Sequence, residues 1–498
     1  MKTKSFFVRV LAAMISLLML FVIVGCADED LEEGSNTDTA TNDGTGETDE
    51  TEIDPTSTLP TDISYNYETF TFLIRNGSEH LADMAVERLS TESTTIDKAV
   101  YGRNMDVQDQ YKVEFVFIQT TPQEFAQVVN SAVSVDPETY DVIVGDGRSV
   151  FKGVTSAYYA DWNELEYVNL DGEWWSQSAR KEWATPEGRL FAMNGDLSYQ
   201  SIGNNCAMFF NKTALEDAHI TSPYEQVYNN NWTLEVFMQT AKQIDGNLNG
   251  DGTGNIATDS FGYATQEWRG PIYATFCSGV SSLAKHEDGT YSIGLNNEKV
   301  GNISEMYIDF VKNSGVANYG KNLTAVRNAF KSGRVIFTDD NVKCALQFKG
   351  IGLDFGIVPF PKAEKTDEFA SLVGSGTNTF AVVRNMSEEK LSRSSLILEA
   401  LACYGSRDVI PLYYETILSY QAMQDEHSLE MLHIIKDAGF FDLGHYTNYG
   451  QVADVVKLVI DNPAKYGSSI YTAIEVIEPT TMSELEIWYL LDSLYKEQ

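Results

Sequence analysis

The chain has 498 residues, of which 43% are hydrophobic and 12% aromatic, proportions typical of a globular protein. Its length exceeds that of one ordinary domain and fits two. Acidic residues outnumber basic residues by 72 to 35, and the formal net charge at pH 7 is -37. Nucleic-acid binding requires a basic surface for phosphate contact, so this charge excludes nucleic acid as a partner.

The N-terminus has the composition of a secretion signal. Three basic residues within the first nine positions precede an uncharged stretch, residues 10–24, which is followed by Gly25 and Cys26. A positive start, an apolar stretch of this length and a small residue before the break are typical of export. The alternative is an uncleaved N-terminal anchor with an incidental cysteine. We expect residues 1–25 to be a signal peptide.

Residues 23–26, with the sequence Ile-Val-Gly-Cys, resemble the lipobox of bacterial lipoproteins. The resemblance implies that the Cys26 thiol is acylated and that the mature chain begins there, on the extracytoplasmic face of the cell membrane. Two or three acyl chains hold a protein firmly, because each buried methylene contributes about 0.8 kcal/mol. Between 27 and 60 the chain has twelve acidic residues and no basic ones. This composition predicts a disordered tether over residues 26–60.

The body of the chain shows alternating strand and helix patterns. Apolar, β-rich runs at 70–74, 113–118 and 141–144 predict strands, and apolar residues at helical spacing from Phe125 predict a helix between the last two. Gly145, Asp146 and Gly147 follow the third run. A strand, helix, strand unit with a glycine-rich exit is typical of a parallel sheet, which places ligands at the carboxyl ends of its strands. The fold class is therefore α/β.

The same two patterns continue to the C-terminus. Strands are predicted at 206–210, 355–358 and 380–383, and helices are predicted from Thr233 and around Ile303. From Glu399 onward the pattern is mainly helical. We expect this tail to pack on the outside of the sheets.

Five segments carry a resemblance to a known family. They lie at 140–146 (YDVIVGD), 208–212 (MFFNK), 231–233 (NWT), 329–334 (AFKSGR) and 354–361 (DFGIVPFP). Their order and spacing are similar to those of the extracellular solute-binding proteins (family 1) of ABC importers, which include maltose- and oligosaccharide-binding components. The likeness extends from about residue 66 to 405.

The resemblance implies a two-lobed, periplasmic-binding-protein-like fold of type II, with a hinge, an interlobe cleft and extra C-terminal helices. Lobe one is expected to hold residues 64–207 and 366–412, and lobe two residues 208–365 and 413–498. The cleft is expected to close on a small solute, a sugar or oligosaccharide, without altering it. The expected partners are this solute and the permease subunits of an ABC importer, and the protein is expected to be a monomer.

Two other functions are compatible with an acidic, exported, aromatic-rich chain: a lipoprotein glycoside hydrolase and a surface carbohydrate-adhesion protein. A glycosidase needs two carboxylates about 5 to 10 Å apart, but among 72 acidic residues such a pair proves little. The sequence shows no nucleophile elbow, no helix-borne zinc pair and no phosphate loop. We therefore expect a binding protein and not an enzyme.

The family positions at strand ends indicate candidate solute-binding residues. A closing cleft holds a sugar by a few polar groups matched to its hydroxyls and by aromatic faces against its ring. Asp146 has the alternative role of capping the next helix, and Arg75 that of a surface salt bridge. The candidates from family position are Arg75, Asn76, Asp146, Arg148, Trp268, Arg269, Asp340 and Asn378.

Two tryptophans are candidates for stacking on a sugar ring. Trp268 is flanked by polar residues, which favours an exposed position and solute contact. Trp174 belongs to a tryptophan-rich stretch that also contains Trp162, Trp175 and Trp183. For Trp174, a place in the core or at its rim is therefore the alternative.

One segment looks like a calcium loop, with oxygen-bearing side chains at Asn247, Asn249, Asp251 and Asn255. The twelfth position is Thr258, where calcium loops carry a bidentate glutamate, so a plain Asn/Gly turn is the alternative. A structural calcium ion is the one cofactor that the sequence suggests, and none is required. The remaining cysteines, expected to be buried, are Cys206, Cys277, Cys344 and Cys403.

Overall fold

The computed structural model describes residues 54–243, 254–350 and 352–495. The strands are β1 (Glu68–Arg75), β2 (Val113–Thr120), β3 (Val142–Asp146), β4 (Cys206–Asn211), β5 (Phe261–Gln266), β6 (Leu283–Lys285), β7 (Tyr291–Ile293), β8 (Ala317–Gly320), β9 (Val335–Asn341), β10 (Phe355–Pro359), β11 (Ser371–Leu372), β12 (Asn378–Val382) and β13 (Gly439–Phe440).

The α-helices of the described ranges cover the faces and ends of the sheets. They are α1 (Ser78–Met84), α2 (Thr95–Tyr111), α3 (Phe125–Val135), α4 (Gly147–Thr155), α5 (Gln177–Trp183), α6 (Gln200–Gly203), α7 (Lys212–Asp217), α8 (Pro223–Tyr228), α9 (Leu234–Ala241), α10 (Gly270–Phe276), α11 (Glu298–Asn313), α12 (Leu323–Lys331), α13 (Ala345–Phe348), α14 (Glu388–Tyr404), α15 (Glu426–Asp437), α16 (Leu443–Thr447), α17 (Val455–Asp461), α18 (Pro463–Tyr466) and α19 (Ile470–Leu494). Short 3-10 helices span Pro55–Thr58, Trp162–Glu164, Val342–Cys344 and Tyr449–Asp454, and π-helical turns span Gly405–Val409 and Leu412–Ala422.

The first sheet has four strands in the order β12-β3-β1-β2. β1 pairs parallel with both neighbours, so that Phe72 lies opposite Phe117 on β2 and Val142 on β3, and β12 runs antiparallel to β3. β3 is buried along almost its whole length, as expected for a strand covered on both faces. All four strands come from the two segments predicted for lobe one, and this half is called lobe one below.

The second sheet has five strands in the order β10-β4-β9-β5-β8. β5 lies parallel between β9 and β8, whereas β4 runs antiparallel to both β9 and β10. Helix α9 packs on it through Phe237, whose ring lies 5.1 Å from that of Tyr263 and 5.4 Å from that of Phe337. This half is called lobe two.

Local sequence signals account for where helices begin. Helix α9 starts after Thr233, whose side chain accepts a hydrogen bond from the Val236 N–H and so satisfies one of the free donors of the first turn. Thr121, Pro122 and Glu124 have the spacing of a capping box, which predicts a helix start at Pro122. Helix α3 instead begins at Phe125 and buries Phe125, Val129 and Ala132 on one face, because the Phe125 N–H bonds to the Thr121 carbonyl in a turn that precedes the helix. The predicted start at Thr233 is confirmed, and the predicted start at Pro122 is wrong by three residues.

Two extended segments cross side by side from one lobe to the other. Asn205 forms a β-bridge with Val373, and the Gly374 N–H donates to the Asn204 carbonyl at 3.1 Å. One step along, the Ser371 hydroxyl donates to the Cys206 carbonyl at 2.9 Å. Since both segments are single strands, rotation at these few residues can move one lobe relative to the other.

The C-terminal tail contacts both lobes, although residues 413–498 were predicted to belong to lobe two. Helix α15 packs on β10 of lobe two. The last helix, α19, reaches lobe one: Thr185 Oγ1 donates to Asp492 Oδ1 at 2.5 Å, and the rings of Phe151 and Trp488 lie 6.2 Å apart. A helix of 25 residues is about 37 Å long and can span two lobes, which explains the difference.

Residues 442–461, called the strap below, lie between the lobes and not outside the sheets. The strap consists of α16, the 3-10 turn that follows it and α17, and it packs against α4 of lobe one and α10 of lobe two. A Cβ on Gly147, the first residue of α4, would lie 2.1 Å from the Tyr446 ring. On the other side, Asp442 accepts hydrogen bonds from the N–H and hydroxyl of Ser282 at 2.7 and 2.6 Å.

Two further properties concern the described residues as a set. None of their helices is both long enough and apolar enough to cross a membrane. The four cysteines among them, at 206, 277, 344 and 403, are buried and carry free thiols, as the sequence predicted for their burial.

Candidate functional site

The two sheets present their functional edges to each other. In lobe one this edge holds the carboxyl ends of β1 and β3 and the start of β12, and in lobe two it holds the carboxyl ends of β5 and β9. Asn204 joins the edges, because its Nδ2 donates to Thr377 Oγ1 at 2.9 Å and its Oδ1 accepts from Asn341 Nδ2 at 3.0 Å. The two edges together with the strap are called the junction.

Arg75 and Asp146 form an ion pair at the lobe-one edge. Arg75 Nε lies 2.9 Å from Asp146 Oδ2, and the two side chains are 24% and 16% exposed. Asp146 also caps α4, since its Oδ1 accepts from the Ser149 N–H at 3.1 Å. The helix cap and the salt bridge considered from the sequence therefore coexist, and the pair still presents polar atoms to the junction. Asn76, the next residue after β1, is exposed.

Asn378 lies behind this edge and is completely buried. Its Nδ2 donates to Asp83 Oδ2 at 2.9 Å, and His80 Nδ1 lies 2.5 Å from its Oδ1. Burial raises the pKa of Asp83 to about 7, although hydrogen bonds from Ser198 and Asn378 oppose the shift. Asn378 was predicted to contact solute directly. Its burial makes it a residue that holds the floor of the lobe-one edge.

Arg148 extends from the first turn of α4 to the strap. Its Nε donates to the His445 carbonyl at 3.2 Å, and its Nη2 lies 3.4 Å from Asp454 Oδ1. The Asp454 side chain is 4% exposed, and burial raises its pKa, with the Arg148 charge acting in the opposite direction. The guanidinium, 27% exposed, thus remains at the surface of the junction.

Trp268 is the exposed aromatic residue of the lobe-two edge. It follows β5, is 49% exposed, and has the ammonium of Lys457 from the strap 4.2 Å from its ring centre. Lys457 also lies 3.6 Å from Glu267 and forms an ion pair with Asp461. A half-exposed indole next to neutralised charges can stack against the apolar face of a ring-shaped polar molecule.

Arg269 and Asp340 belong to a buried ion network beneath Trp268. Asp340 lies 2.9 Å from Arg269 Nη1 and accepts two hydrogen bonds from Arg327, at 2.7 and 3.0 Å. Burial alone would raise the pKa of Asp340, but the two guanidinium groups lower it below its ordinary value. Asp340 is 1% exposed with both oxygens occupied, so it positions the arginines and is not itself a contact for solute, contrary to prediction.

Trp174 does not belong to the junction. Its side chain is 8% exposed, and its indole N–H donates to Glu399 Oε1 at 3.0 Å, while that of Trp175 donates to Glu399 Oε2 at 2.9 Å. The prediction of a solute contact is therefore wrong for Trp174, and the alternative of a core position applies. A carboxylate on α14 satisfies both indoles, which lets them be buried.

Several predicted sites lie outside the described residues. Cys26 and residues 27–53 of the predicted tether are among them, as are Asn247, Asn249 and Asp251 of the calcium-like loop. The end of the predicted tether is not disordered, because Asp54 caps the 3-10 helix Pro55–Thr58 and Leu59 is buried. The side chain of the fourth loop residue, Asn255, accepts a hydrogen bond from the Ala257 N–H at 2.9 Å, as in an Asx turn. Within the described ranges, no cluster of three or more His, Cys, Asp or Glu side chains could hold a metal.

The strap residues were missed by sequence reasoning. Lys457 and Asp454 belong to a tail that reads as ordinary amphipathic helix, and neither stands beside a glycine-rich turn or a strand end. Asp454 is 306 positions from Arg148. A signal from covarying positions could reveal such a pair, but local patterns cannot.

Surface cavities of about 310 to 470 Å³ lie away from the junction. One of about 470 Å³ is lined by Asn231, Lys299 and Lys365 of lobe two. In open α/β sheets, however, ligands bind at the carboxyl ends of strands. The junction is therefore the better candidate site.

The chain was compared with protein families, curated proteins and solved structures. No protein-family model matches the chain, and no curated protein matches it. Among solved structures, the cyclic alpha-maltosyl-1,6-maltose binding protein of Arthrobacter globiformis matches with 13% identity and a TM-score of 0.58, over 84% of this chain and 99% of that one. The GacH receptor of Streptomyces glaucescens, solved with acarbose, matches with 14% identity and a TM-score of 0.54, over 85% and 99%.

The UgpB protein of Mycobacterium tuberculosis, in complex with glycerophosphocholine, also matches with 14% identity and a TM-score of 0.54, over 84% of this chain and 98% of that one. The chain has the two-lobed fold of periplasmic binding proteins. The predicted fold class is confirmed. The junction lies between the two lobes of this fold.

Proposed function

We propose that the protein captures a small, neutral, polyhydroxylated solute, a sugar or oligosaccharide, at the junction and delivers it to an ABC importer without altering it. The observation that carries the proposal is that the carboxyl ends of β3 and β5, one from each lobe, meet at a single junction through the strap. Two such edges on a hinge can enclose a ligand when the lobes rotate.

The charges at the junction favour a neutral solute. Four cationic side chains of the junction are each paired with a carboxylate: Arg75 with Asp146, Arg148 with Asp454, Lys457 with Glu267 and Arg269 with Asp340. An anionic solute would have to displace these carboxylates, whereas hydroxyl groups can share the charged donors and acceptors. The exposed face of Trp268 adds the apolar surface that a sugar ring needs.

Three neighbours support the solute class. One of them is a binding protein for cyclic alpha-maltosyl-1,6-maltose, and the other two were solved in complex with acarbose and with glycerophosphocholine. Two of these three ligands are oligosaccharide-like, and all three are small and polar. The importer partner is proposed from the five sequence segments that resemble the solute-binding proteins of ABC importers.

The position of the protein is proposed from its N-terminus. Acylation of Cys26 would hold it on the extracytoplasmic face of the cell membrane, with residues 27–53 as the tether. Labelling of producing cells with an alkyne fatty acid should mark the protein, and Cys26→Ser should abolish the label. Persistent labelling of the Cys26→Ser variant would reject this anchor.

Solute capture is tested by thermal unfolding with maltotriose, raffinose, tagatose and glycerophosphocholine. A solute at one hundred times its dissociation constant adds about 2.7 kcal/mol of stability, which raises the melting temperature measurably. Replacing Trp268 and Asp146 by Ala should abolish the shift. The matched control is Tyr67→Ala, because Tyr67 is 64% exposed but precedes β1, away from the junction.

The outcomes separate the candidate functions. A shift that the junction variant loses and the control keeps supports capture. Release of cleaved sugars, seen by chromatography of the same samples, would instead identify a glycoside hydrolase. A shift that survives in the junction variant would place the solute elsewhere.

A further inference from the structure

The strap holds the arginine that the proposed function assigns to solute. Arg148 follows β3, but its guanidinium is taken up by two oxygens of the strap, the carbonyl of His445 and the carboxylate of Asp454. These two oxygens occupy the N–H donors of Arg148 that the hydroxyl groups of a neutral solute would otherwise meet. The strap therefore sits where a ligand of Arg148 would sit.

The two sides of the strap differ in how well their polar groups are satisfied. On the lobe-two side, Asp442 accepts from the N–H and hydroxyl of Ser282 and from the His445 N–H at 2.7 Å. On the lobe-one side, the indole nitrogen of Trp183 is buried without a hydrogen-bond partner among the described residues. His445 Nδ1 is likewise buried and unpartnered there, in a ring that also packs against Phe276 of lobe two at 6.2 Å. Buried polar groups that lack partners weaken the docked arrangement.

One backbone group reports directly on this docking. The Ser375 N–H donates to His445 Nε2 at 3.1 Å, and the Ser375 carbonyl accepts from the Gly147 N–H at 2.8 Å. The first of these bonds crosses from lobe one to the strap and breaks if the strap leaves. The second lies within lobe one and stays.

We propose that the strap is a built-in occupant of the junction, which stays attached to lobe two and detaches as a unit from lobe one to free Arg148. This inference deepens the proposed function, since it makes strap release a step of solute entry. Its latch is the Arg148–Asp454 pair. Its other lobe-one contacts are the Ser375 N–H on His445 Nε2 and the Tyr446 side chain, whose ring packs on Gly147, Phe151 and Trp183 and whose hydroxyl donates to the carbonyls of Val373 and Gly374 at 3.3 and 3.1 Å. A solute that takes Arg148 would compete with residues of its own binding protein.

Amide hydrogen exchange on the mature protein, with Cys26→Ser for solubility, tests the proposal without any solute. The Ser375 amide and those of residues 443–449 should exchange with one common opening free energy, below that of β3, which opens by global unfolding. Asp454→Asn should speed exchange at Ser375 and at 443–449 by a similar factor, about tenfold or more, and leave β3 unchanged. Arg148→Gln should do the same from the lobe-one side.

The matched control is Asp461→Asn, in the same helical segment. Asp461 accepts from the Tyr319 hydroxyl at 2.7 Å and pairs with Lys457, contacts that belong to the lobe-two side. This variant should speed exchange near 455–461 and leave Ser375 unchanged.

Two results would overturn the proposal. Exchange of Ser375 together with β3 in the wild type would show that the strap leaves only by global unfolding. A change at Ser375 that is as large in Asp461→Asn as in Asp454→Asn would show general loosening instead of a latch. Either result leaves solute capture itself intact, because that is measured separately by the thermal shift with added solutes.

Discussion

Lys457 Nζ lies 4.2 Å from the centre of the Trp268 ring, which connects the C-terminal tail to the end of β5. The same ammonium is flanked by Glu267 and Asp461, so one tail residue gathers an aromatic ring and two carboxylates. A cation over an indole face contributes about 0.5 to 2 kcal/mol, more where water is excluded. Because of this contact, the C-terminal tail forms part of the junction and does not only cover the outside of the sheets.

The first prediction concerns this contact. Lys457→Met should lower the free energy of unfolding by about 1 to 2 kcal/mol, because Glu267 and Asp461 lose their shared cation while the ring keeps an apolar neighbour. Urea denaturation measures the change. Lys112→Met is the control, since Lys112 lies 5.9 Å from the exposed ring of Tyr67, and it should cost less than about 0.5 kcal/mol. Equal losses in both variants would contradict a special role for Lys457.

The ion network under Trp268 predicts a larger effect. Asp340→Asn should cost about 3 to 5 kcal/mol, because it leaves Arg269 and Arg327 close together without their carboxylate. Asp171→Asn provides the comparison, since Asp171 is 84% exposed and its pair with Arg180 contributes little. Chemical denaturation of both variants measures the two losses in the free energy of unfolding. If Asp340→Asn unfolded no more easily than Asp171→Asn, the network would not stabilise lobe two.

Glu399 predicts a pH dependence of stability. Burial raises its pKa to about 7, with hydrogen bonds from Trp175 and Trp174 acting in the opposite direction. A carboxyl whose folded pKa is raised binds its proton more tightly in the folded state than in the unfolded state. Its contribution to the free energy of unfolding is therefore full below about pH 4.5 and is lost as the pH rises through about 7. Glu399→Gln removes this titration.

The substitution should cost about 1 to 3 kcal/mol, since the new amide N–H₂ faces an indole donor. The cost should be larger at pH 5 than at pH 8, as measured by urea denaturation at the two pH values. Glu388→Gln, on the exposed first turn of the same helix, is the control and should show no such difference. A loss of stability in Glu399→Gln that increased with pH would show that the pKa of Glu399 is lowered, not raised, by folding.

The buried thiols predict slow chemistry. Burial raises the pKa of the thiols at 206, 277, 344 and 403, so little thiolate forms and access is blocked. In the Cys26→Ser protein, a disulfide reagent should therefore label no thiol within minutes under native conditions and all four in guanidinium chloride. Rapid native labelling of any of them would show local opening of its surroundings.

Strands β1 to β4, β10 and β12 were predictable from local patterns, whereas β5 to β9 were not predicted. The runs at 113–118 and 355–358 lie within strands β2 and β10, and Thr233 begins a helix as its side chain indicated. Periodicity and capping act over a few residues, so a single sequence contains them. The glycine-rich turn after β3 likewise pointed to a parallel sheet and to one edge of the junction.

Contacts between residues that are far apart in the sequence could not be predicted from local patterns. Trp174 and Trp268 are both indoles near polar residues, yet Glu399 buries the first and the second stays half exposed. Asp340 and Asp146 both end strands, yet two arginines enclose Asp340 while Asp146 keeps a partly open side. Exposure depends on which distant carboxylate or ring arrives next to a residue, and packing decides that.

The sequence by itself determined six of the strands, several helices and the lobe-one sheet edge, because these follow from interactions between near neighbours along the chain. Strands β5 and β9, which form the lobe-two edge, were not predicted. The tertiary structure alone decided that residues 442–461 lie between the lobes and that Asp454 meets Arg148 across 306 positions. Such a contact depends on the burial of one apolar tail against two lobes at once, and no local pattern encodes that geometry.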